Sequence, residues 1–417
     1  MSRTFASLGV MVVLASTCLV VVSILLRRFA GNRFVIGPLR CLGWGFSVVI
    51  GLCALPLALL ELLLRRWANR PLWSLRRRQP IFSKHQIDGQ GSWALPAQVA
   101  ASRDSEFSVT HWNEMNSGLK IMTEERWRKF AEGPELYRIG GEFLGSEFSF
   151  QSGERTTMGW PRISSAEVLC LGGSTTFCIE VPDKRTWPSV LQENIAVDSR
   201  RKLRVRNLGI SGTPGLERIN TFLWTITPKF GDLAVFLFGD NDSGWKMYGA
   251  REGKIHSHLP FLVRELLSAS EIFELAGWLY GEISPRYLRR LAIEMANTTI
   301  AAAEQAHEFA KAKGARVLFV LQPNIFTLRN PDSWDRKIMA GTARDLSVLL
   351  EAAYGRYREW IAMCDFAVDA TNLFDNESPS PYMGDWAHVN TRGNQLIGEF
   401  VYEELKSRRW LLETTSV

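Results

Sequence analysis

Short apolar stretches alternate with longer amphipathic ones between residues 166 and 405. The apolar stretches that predict strands are residues 166–171, 203–208, 232–238, 315–321 and 366–370. The amphipathic stretches that predict helices are residues 184–196, 216–227, 287–312, 344–362 and 393–405. Residues 232–238 are nearly all apolar, which is typical of a central strand covered on both faces. The alternation predicts an α/β fold in which helices cover both faces of a parallel sheet.

Two apolar runs near the N-terminus predict a membrane anchor. Residues 6–26 carry no charged side chain, and neither do residues 41–60, which residues 62–64 extend with leucines. A run of about 20 apolar residues is long enough to cross a bilayer as a helix. The first run is long for a cleaved signal peptide, and no A-x-A-like cleavage site follows it. We therefore expect two transmembrane helices, at about residues 6–26 and 41–64, rather than a signal peptide and a buried core helix.

The arginines around these runs leave the membrane side of the remaining chain open. The loop between the runs carries Arg27, Arg28, Arg33 and Arg40. The other side carries Arg3, Arg65, Arg66, Arg70, Arg76, Arg77 and Arg78. The larger count favours a cytoplasmic position for the part that follows, by a small margin. The same arginines would also suit a surface of anionic headgroups.

Three regions follow from this pattern. Residues 1–66 are expected to form the anchor, residues 67–160 a linker and irregular connector, and residues 161–417 an α/β domain. Three tryptophans in the connector indicate that parts of it pack on the following domain: Trp112, Trp127 and Trp160. His85 and His111 are isolated there, and isolated histidines are more often surface or core residues than ligands.

Composition argues against nucleic acid, zinc and a disulfide scaffold. The formal net charge of +6 is modest for 417 residues, and much of it comes from arginines near the N-terminus. The six cysteines include no C-x-x-C pair. His256 and His258 form a His-x-His pair without an evident third ligand. We expect no metal and no cofactor.

Candidate chemistry lies where predicted strands end. Ser174 follows the first strand on a turn with two glycines, Gly212 lies in the loop after the second, and Asn241 follows the third. Asp385 and His388 precede the last helix. The carboxyl ends of parallel strands are where open α/β sheets bind ligands. Taken singly, each residue also fits a helix cap, a plain turn or a surface position.

Together these residue types suit nucleophilic catalysis. A serine hydroxyl needs a base such as His388 to accept its proton during attack. The imidazole in turn needs an acceptor on its other nitrogen, and Asp385, three residues earlier, is placed to supply it. The backbone N–H groups of Ser174 and Gly212 and the side-chain amide of Asn241 would stabilise an oxyanion.

The combination resembles the SGNH hydrolases, the GDSL-like esterase and lipase superfamily. The stretch GGSTTF at residues 172–177 looks like the first block of that family in its GGST form, with Cys178 where many members have glycine. Gly212, Asn241 and the D-x-x-H of Asp385 and His388 match the later blocks over residues 160–410. The G-x-S-x-G elbow of α/β-hydrolases is absent, because Thr176 takes its last position.

The resemblance implies a three-layer α/β/α, flavodoxin-like sandwich. It also implies that Ser174 is the nucleophile of a triad with Asp385 and His388. Ser174, Gly212 and Asn241 would form the oxyanion hole.

Three functions remain open at this point. A membrane-anchored serine esterase would act on an acyl ester of a glycan or a lipid. An O-acyltransferase would pass the same acyl group to an envelope glycan or lipid, and a non-catalytic membrane protein would keep only the fold. The sequence identifies neither the substrate nor an oligomeric state.

Overall fold

The computed structural model describes residues 97–132, 141–198, 201–243, 285–342 and 344–412. All of them belong to one compact unit, formed by Pro80–Gly249 and Pro285–Val417. The two predicted membrane spans and the pair His256 and His258 lie outside the described residues. Among the helices that are described, none is both long and apolar enough to span a membrane.

Eight strands of the described residues form one sheet. They are β1 (Phe143–Leu144), β2 (Ser149–Gln151), β3 (Glu154–Arg155), β4 (Ala166–Gly172), β5 (Leu203–Asn207), β6 (Leu233–Phe238), β7 (Arg316–Leu321) and β8 (Ala367–Asp369). Their order across the sheet is β1-β2-β3-β5-β4-β6-β7-β8. The five strands expected from the sequence are all present, within one or two residues of their predicted ends.

These five strands, β4 to β8, pair in parallel in the order β5-β4-β6-β7-β8. Numbered among themselves, they follow the flavodoxin-like order 2-1-3-4-5. The second strand is added on one side of the first strand and the third on the other, so the direction in which strands are added reverses there. The fold that the resemblance implied is therefore observed for this part of the sheet. Ligands of such sheets bind at the carboxyl ends of the strands near that reversal.

The prediction of a wholly parallel sheet is wrong, because three short strands make it mixed. β1 pairs with β2, β2 with β3 and β3 with β5, each time antiparallel. Each of these strands has only two or three residues, and the only β3–β5 pair is Arg155 with Asn207. Strands this short carry no measurable periodicity, so the pattern that revealed the other five could not reveal them.

The helices of the described residues lie on both faces of the sheet and before it. They are α1 (Ala97–Arg103), α2 (Val109–Glu132), α3 (Ser174–Phe177), α4 (Trp187–Asp198), α5 (Gly215–Thr225), α6 (Pro285–Ala312), α7 (Ser333–Gly341), α8 (Arg344–Ile361) and α9 (Thr391–Ser407). Short 3₁₀ turns occupy Asp183–Arg185 and Ile325–Thr327.

The side chains of each central strand alternate between two hydrophobic cores. In β6, Phe236 belongs to the core under α5, α6 and α8, whereas its neighbour Val235 belongs to the core under α4 and α9. β4 and β7 divide in the same way. Successive side chains of these strands point to opposite faces of the sheet, and helices cover both faces. The arrangement therefore has three layers, α/β/α.

Part of the region assigned to a connector packs onto this domain. Phe148 and Phe150 of the β1–β3 segment share a small core with Met115 of α2 and Phe177 of α3. The connector therefore reaches the turn that carries Ser174. The boundaries between anchor, connector and α/β domain stay a prediction.

Candidate active site

Ser174 begins α3 directly after the last residue of β4, Gly172, and Gly173. It is 8% exposed. The backbone N–H groups of Thr176 and Phe177 both donate to the Gly173 carbonyl, at 3.1 Å. The apolar strand, the glycine pair and this one-turn helix together hold the hydroxyl-bearing residue at the carboxyl edge of the sheet, where the sequence predicted it.

Gly173 is the point at which three of the predicted loops meet. A Cβ atom added to Gly173 would lie 2.8 Å from Nδ2 of Asn241 and 2.9 Å from the carbonyl oxygen of Thr213. The Asn241 amide itself donates to that Thr213 carbonyl at 3.3 Å. Only glycine lets the Asn241 amide approach the Ser174 turn this closely, so the glycine of the motif has a physical reason.

The loop after β5 needs glycine for another reason. Gly212 has a φ of 78°, in the left-handed region that side chains with a Cβ rarely adopt. Next to it, the Asp242 carboxylate accepts hydrogen bonds from the N–H groups of Gly215 and Leu216, at 3.0 and 2.9 Å, and so caps α5. The Gly212 and Asn241 loops are thereby tied together.

Asp385 and His388 make the contact that their spacing predicted. Nδ1 of His388 lies 2.6 Å from Oδ2 of Asp385. The other oxygen, Oδ1, accepts the backbone N–H groups of Ala387 and His388, at 3.0 and 2.9 Å. One carboxylate oxygen of Asp385 therefore stabilises the turn of the loop, and the other orients the imidazole of His388.

The second ring nitrogen of His388 does not reach Ser174 by a hydrogen bond. Nε2 is a buried atom without a hydrogen-bond partner in the described part of the chain. The nearest charged group is the Glu180 carboxylate, whose Oε1 lies 3.7 Å away. Hydrogen bonds of catalytic groups are often unformed until substrate binds, so this geometry is compatible with a role for His388 as base.

Burial and neighbouring carboxylates act in opposite directions on His388. Burial lowers the pKa of its imidazole, but the charges of Asp385, Glu180 and Asp240 and the hydrogen bond that the ring donates to Asp385 raise it to about 10. For Asp385, burial raises the pKa, and the charge and hydrogen bonds of His388 outweigh it and leave the pKa below its usual value. The pair is an ion pair at neutral pH.

A further buried carboxylate, Asp240, stands beside this pair. Its Oδ2 accepts a hydrogen bond of 3.0 Å from Nε1 of Trp386, while Oδ1 has no partner in the described residues. Burial raises the pKa of Asp240 to about 7, the Asp385 charge adds to the rise, and the Trp386 hydrogen bond and the His388 charge oppose it. Asp240 is thus a group that titrates near neutrality inside the site.

Arg155 of β3 holds the far end of the Ser174 turn. Its guanidinium, which is fully buried, donates to the carbonyls of Phe177 at 2.9 Å and Val181 at 2.8 Å, and also to that of Cys178. It pairs with Asp183 at 2.9 Å. Helix α3 is one turn long, so the carbonyl of its last residue, Phe177, needs a partner outside the helix, and Arg155 supplies it.

Cys178, the residue that departs from the family pattern, takes a backbone conformation that favours glycine. Its φ is 56° and its ψ 55°, at the C-cap of α3. Its thiol is buried, with Sγ 3.2 Å from the carbonyl of Thr175. The departure therefore leaves the turn intact.

His111 of α2 adds to the support of the same segment. Its Nε2 lies 3.1 Å from the carbonyl of Ile179. Burial and the Arg155 charge lower the pKa of His111 to about 3, so the ring is neutral and its Nε2–H donates a hydrogen bond to that carbonyl. His111 is a core residue, as its isolation in the sequence indicated.

The histidine loop is braced by the residues that end α1. The Asp104 carboxylate accepts hydrogen bonds from the backbone N–H and the hydroxyl of Thr391, at 3.1 and 2.8 Å. The carbonyl of Arg103 accepts a 2.6 Å hydrogen bond from Asn390. All three hydrogen bonds fall at the start of α9, two to three residues after His388.

Within the described residues, no group of three or more His, Cys, Asp and Glu side chains is arranged to hold a metal ion. The arrangement consists of a hydroxyl, an imidazole, carboxylates and amide donors. Groups of these types are suited to proton transfer and nucleophilic attack.

No family model matches the sequence, and no curated protein matches it. The solved structures to which the chain is similar include three that are described as follows. An acetylxylan esterase from Geobacillus stearothermophilus, solved as a catalytic mutant, is 14% identical over 58% of this chain and 94% of its own, with a TM-score of 0.35. The native aryl esterase of M. smegmatis is 14% identical over 58% of this chain and 99% of its own, with a TM-score of 0.33. TesA is 18% identical over 58% of this chain and 98% of its own, with a TM-score of 0.33. Likenesses this distant assign neither residue roles nor a substrate to this chain.

Sequence reasoning missed the residues that support the predicted ones. They are Glu180, Asp240, Arg155, His111 and Asp104. None of the five left a sequence signal of this role, since the strand that carries Arg155 is too short to show a periodicity. A charged residue in such a strand is buried only when it has partners, which three-dimensional packing alone reveals.

Proposed function

We propose that this chain is a serine esterase of the SGNH type that cleaves an acyl ester through an acyl-serine intermediate. One observation carries the proposal. Oδ2 of Asp385 lies 2.6 Å from Nδ1 of His388, at the edge of the sheet where the Asn241 amide packs against the Ser174 turn. A helix cap or a surface histidine needs neither of these contacts. The distant likeness to esterases is compatible with the proposal but does not carry it.

In the proposed reaction, Oγ of Ser174 attacks the ester carbonyl while Nε2 of His388 takes its proton. The oxyanion accepts hydrogen bonds from the Asn241 amide and from the backbone N–H groups of Ser174 and Gly212. His388 then protonates the departing alcohol, and the Ser174 acyl ester remains. A water molecule, deprotonated by His388, attacks that ester and releases the acid and free Ser174.

Hydrolysis of a short-chain aryl ester by the full chain tests this function. We expect Ser174→Ala to reduce turnover by a factor of at least about 10³, since removal of a triad member has effects of this size or larger. The matched control is Ser165→Ala, because Ser165 is an exposed serine whose hydroxyl donates to the Lys202 carbonyl. Wild-type protein without activity, or unchanged activity in Ser174→Ala, would contradict the proposal.

Labelling by a fluorophosphonate separates an enzyme from a protein that only keeps the fold. This reagent forms a covalent bond with an activated serine and displaces fluoride. We expect the probe to label wild-type protein and Ser165→Ala, but not Ser174→Ala. Equal labelling of all three proteins would show that Ser174 is not activated.

Acyl transfer is the second candidate, and one observation favours it. Ser174 is 92% buried, and a shielded acyl-serine reacts more slowly with water than an open one. A glycan or lipid hydroxyl would then take the place of water in the second half of the reaction. Product analysis with candidate acceptors decides between the two: acylated acceptor supports transfer, and free acid alone supports hydrolysis.

We propose further that residues 1–66 tether the enzyme to a membrane by two spans. Support comes from the two uncharged runs at residues 6–26 and 41–60. Protease treatment of intact cells would show which side of the membrane carries the catalytic part. Release of the full chain by high salt or carbonate would contradict the tether.

A further inference from the structure

Glu180 is a buried carboxylate to which the proposed reaction gives no task. It lies in the turn between α3 and the 3₁₀ turn Asp183–Arg185, six residues after Ser174. Its side chain is only 2% exposed. Burial of a carboxylate is costly unless partners compensate it, and the imidazole of His388 is one of these partners.

The Glu180 carboxylate faces the ring edge that catalysis uses. Its Oε1 lies 3.7 Å from Nε2 of His388, on the opposite side of the imidazole from Asp385, which holds Nδ1 at 2.6 Å. His388 is therefore flanked by two carboxylates, with Asp240 as a third charge nearby. An ordinary triad needs only the first of these.

The backbone around Glu180 is fixed on both sides. Arg155 binds the carbonyls of Cys178 and Val181, and His111 binds that of Ile179. The carbonyls of the two residues before Glu180 and of the residue after it thus have side-chain partners from α2 and β3. This arrangement holds in place the backbone that carries the Glu180 side chain.

We propose that Glu180 is a positioning residue that acts on the reaction through His388, by holding a proton on Nε2 in the resting protein. This inference rests on the proposed function, because it concerns the base of that reaction. While Nε2 keeps this proton, His388 cannot accept the proton of Ser174. The proton must pass to solvent before attack, and the imidazolium that attack then creates is again stabilised by Glu180.

The pH dependence of the activity should therefore follow the pKa of His388, which three surrounding carboxylates raise: Asp385, Glu180 and Asp240. With all three in place, the pKa of His388 stands at about 10. Removal of one charge at 3.7 Å should lower it by about 1–2 units. The esterase should gain activity with rising pH in wild-type protein, and should reach its plateau at lower pH without the Glu180 charge.

Titration of the His388 ring in the full chain tests this inference without reference to turnover. The chain is labelled with ¹⁵N-histidine, and the His388 signals are identified by their loss in His388→Gln. We expect Glu180→Gln to move the midpoint of the ring titration down by about 1–2 pH units. Glu180→Asp, which keeps the charge, should stay closer to wild type and serves as the second variant if the amide form folds poorly.

Glu404→Gln is the matched control. It removes the same charge near the far end of α9, about 20 Å from the start of that helix, where Glu404 pairs with Arg408. We expect it to leave the His388 titration unchanged. The pH profile of kcat/KM for ester hydrolysis should shift together with the ring titration in each variant.

Equal His388 titrations in wild type, Glu180→Gln and Glu180→Asp would overturn the inference. A shift of similar size in Glu404→Gln would overturn it as well, because the effect would then not depend on position. Failure of the proposed function looks different: no ester is cleaved at any pH, although the ring titration shifts as expected.

Discussion

The guanidinium of Arg155 donates a 2.9 Å hydrogen bond to the carbonyl of Phe177, the last residue of the one-turn helix that begins at Ser174. A residue outside the predicted α/β domain thus closes the turn that carries the candidate nucleophile. The same side chain pairs with Asp183 and contacts the rings of Phe148 and Phe177, with its central carbon 4.4 and 5.3 Å from their centroids.

Arg155→Met should lower the free energy of unfolding by about 3–5 kcal/mol, because it leaves the buried Asp183 carboxylate without its partner. Burial already raises the pKa of Asp183, and Arg155 opposes that rise, so the charged carboxylate depends on Arg155. Denaturant unfolding measures the change. Arg392→Met, which removes a surface pair with Glu377, should cost at most about 1 kcal/mol. Equal losses in the two variants would show that the Arg155 contacts are dispensable.

Gly173→Ala should abolish most of the activity while the protein stays folded. The new Cβ would stand 2.8 Å from the Asn241 amide nitrogen and 2.9 Å from the Thr213 carbonyl, so Asn241 must move away from Ser174. Loss of one oxyanion donor reduces kcat by a factor of about 10²–10³. Kinetics on an aryl ester measure the effect, with circular dichroism as the check on folding.

Gly355→Ala is the matched control for that variant. Gly355 lies within α8, and nothing stands within 4 Å of the added Cβ. Alanine should stabilise this helix by about 0.5–1 kcal/mol and leave kcat unchanged. If the control loses as much activity as Gly173→Ala, the close approach to Asn241 is not the cause.

His388→Gln should reveal a contribution of the histidine to stability that depends on pH. The folded pKa of His388, about 10, is above the ordinary value of 6.5. The charged ring therefore stabilises the fold fully below pH 6.5, and this contribution is lost as the pH rises through 10. The unfolding free energy of wild type minus that of His388→Gln should fall across this window.

Asp385→Asn provides the comparison for that experiment. It removes the carboxylate nearest to the ring, so the pH-dependent part of the difference should shrink when His388→Gln is measured in this background. Denaturant midpoints at intervals from pH 6 to pH 10 give the data. A difference that grows with pH would mean that His388 is neutral in the folded protein.

Asp104→Ala should lower the free energy of unfolding by about 1–2 kcal/mol. The Asp104 carboxylate accepts two hydrogen bonds from Thr391 at the start of α9, where it also meets the positive end of the helix. Asp104→Asn should lose less, because it keeps an acceptor oxygen. Ser102→Ala, two residues away and exposed, is the control. Identical stabilities for all four proteins would exclude Asp104 as a cap.

The five central strands were predictable because each is an apolar run that ends in turn residues. β4 and β6 were placed within one residue of their observed ends, since burial on both faces makes the run continuous. The short β1–β3 strands and the helix at Ser333–Gly341 escaped prediction. Their formation depends on neighbours far along the chain, for example on the pairing of Arg155 with Asn207.

The residues of the candidate site also fall into a group that the sequence predicted and a group that it did not. Ser174, Gly212, Asn241, Asp385 and His388 stand in recognisable local patterns, and the structure brings Asp385 to His388 and Asn241 to Gly173. Their catalytic roles stay predictions. Glu180 and Asp240 carry no such pattern, because a carboxylate beside an imidazole is defined by a distance in space and not by a spacing in sequence.

The hydrogen bonds that Thr391 donates to Asp104 join residues that are 287 positions apart. During synthesis, the N-terminal partner of this contact leaves the ribosome long before the C-terminal one. Contacts of such sequence separation close slowly, because a long loop must first lose its entropy. The newly made chain therefore carries an exposed serine turn for most of its synthesis, but no imidazole beside it. The ester chemistry proposed for Ser174 is thus deferred until the final helix is docked.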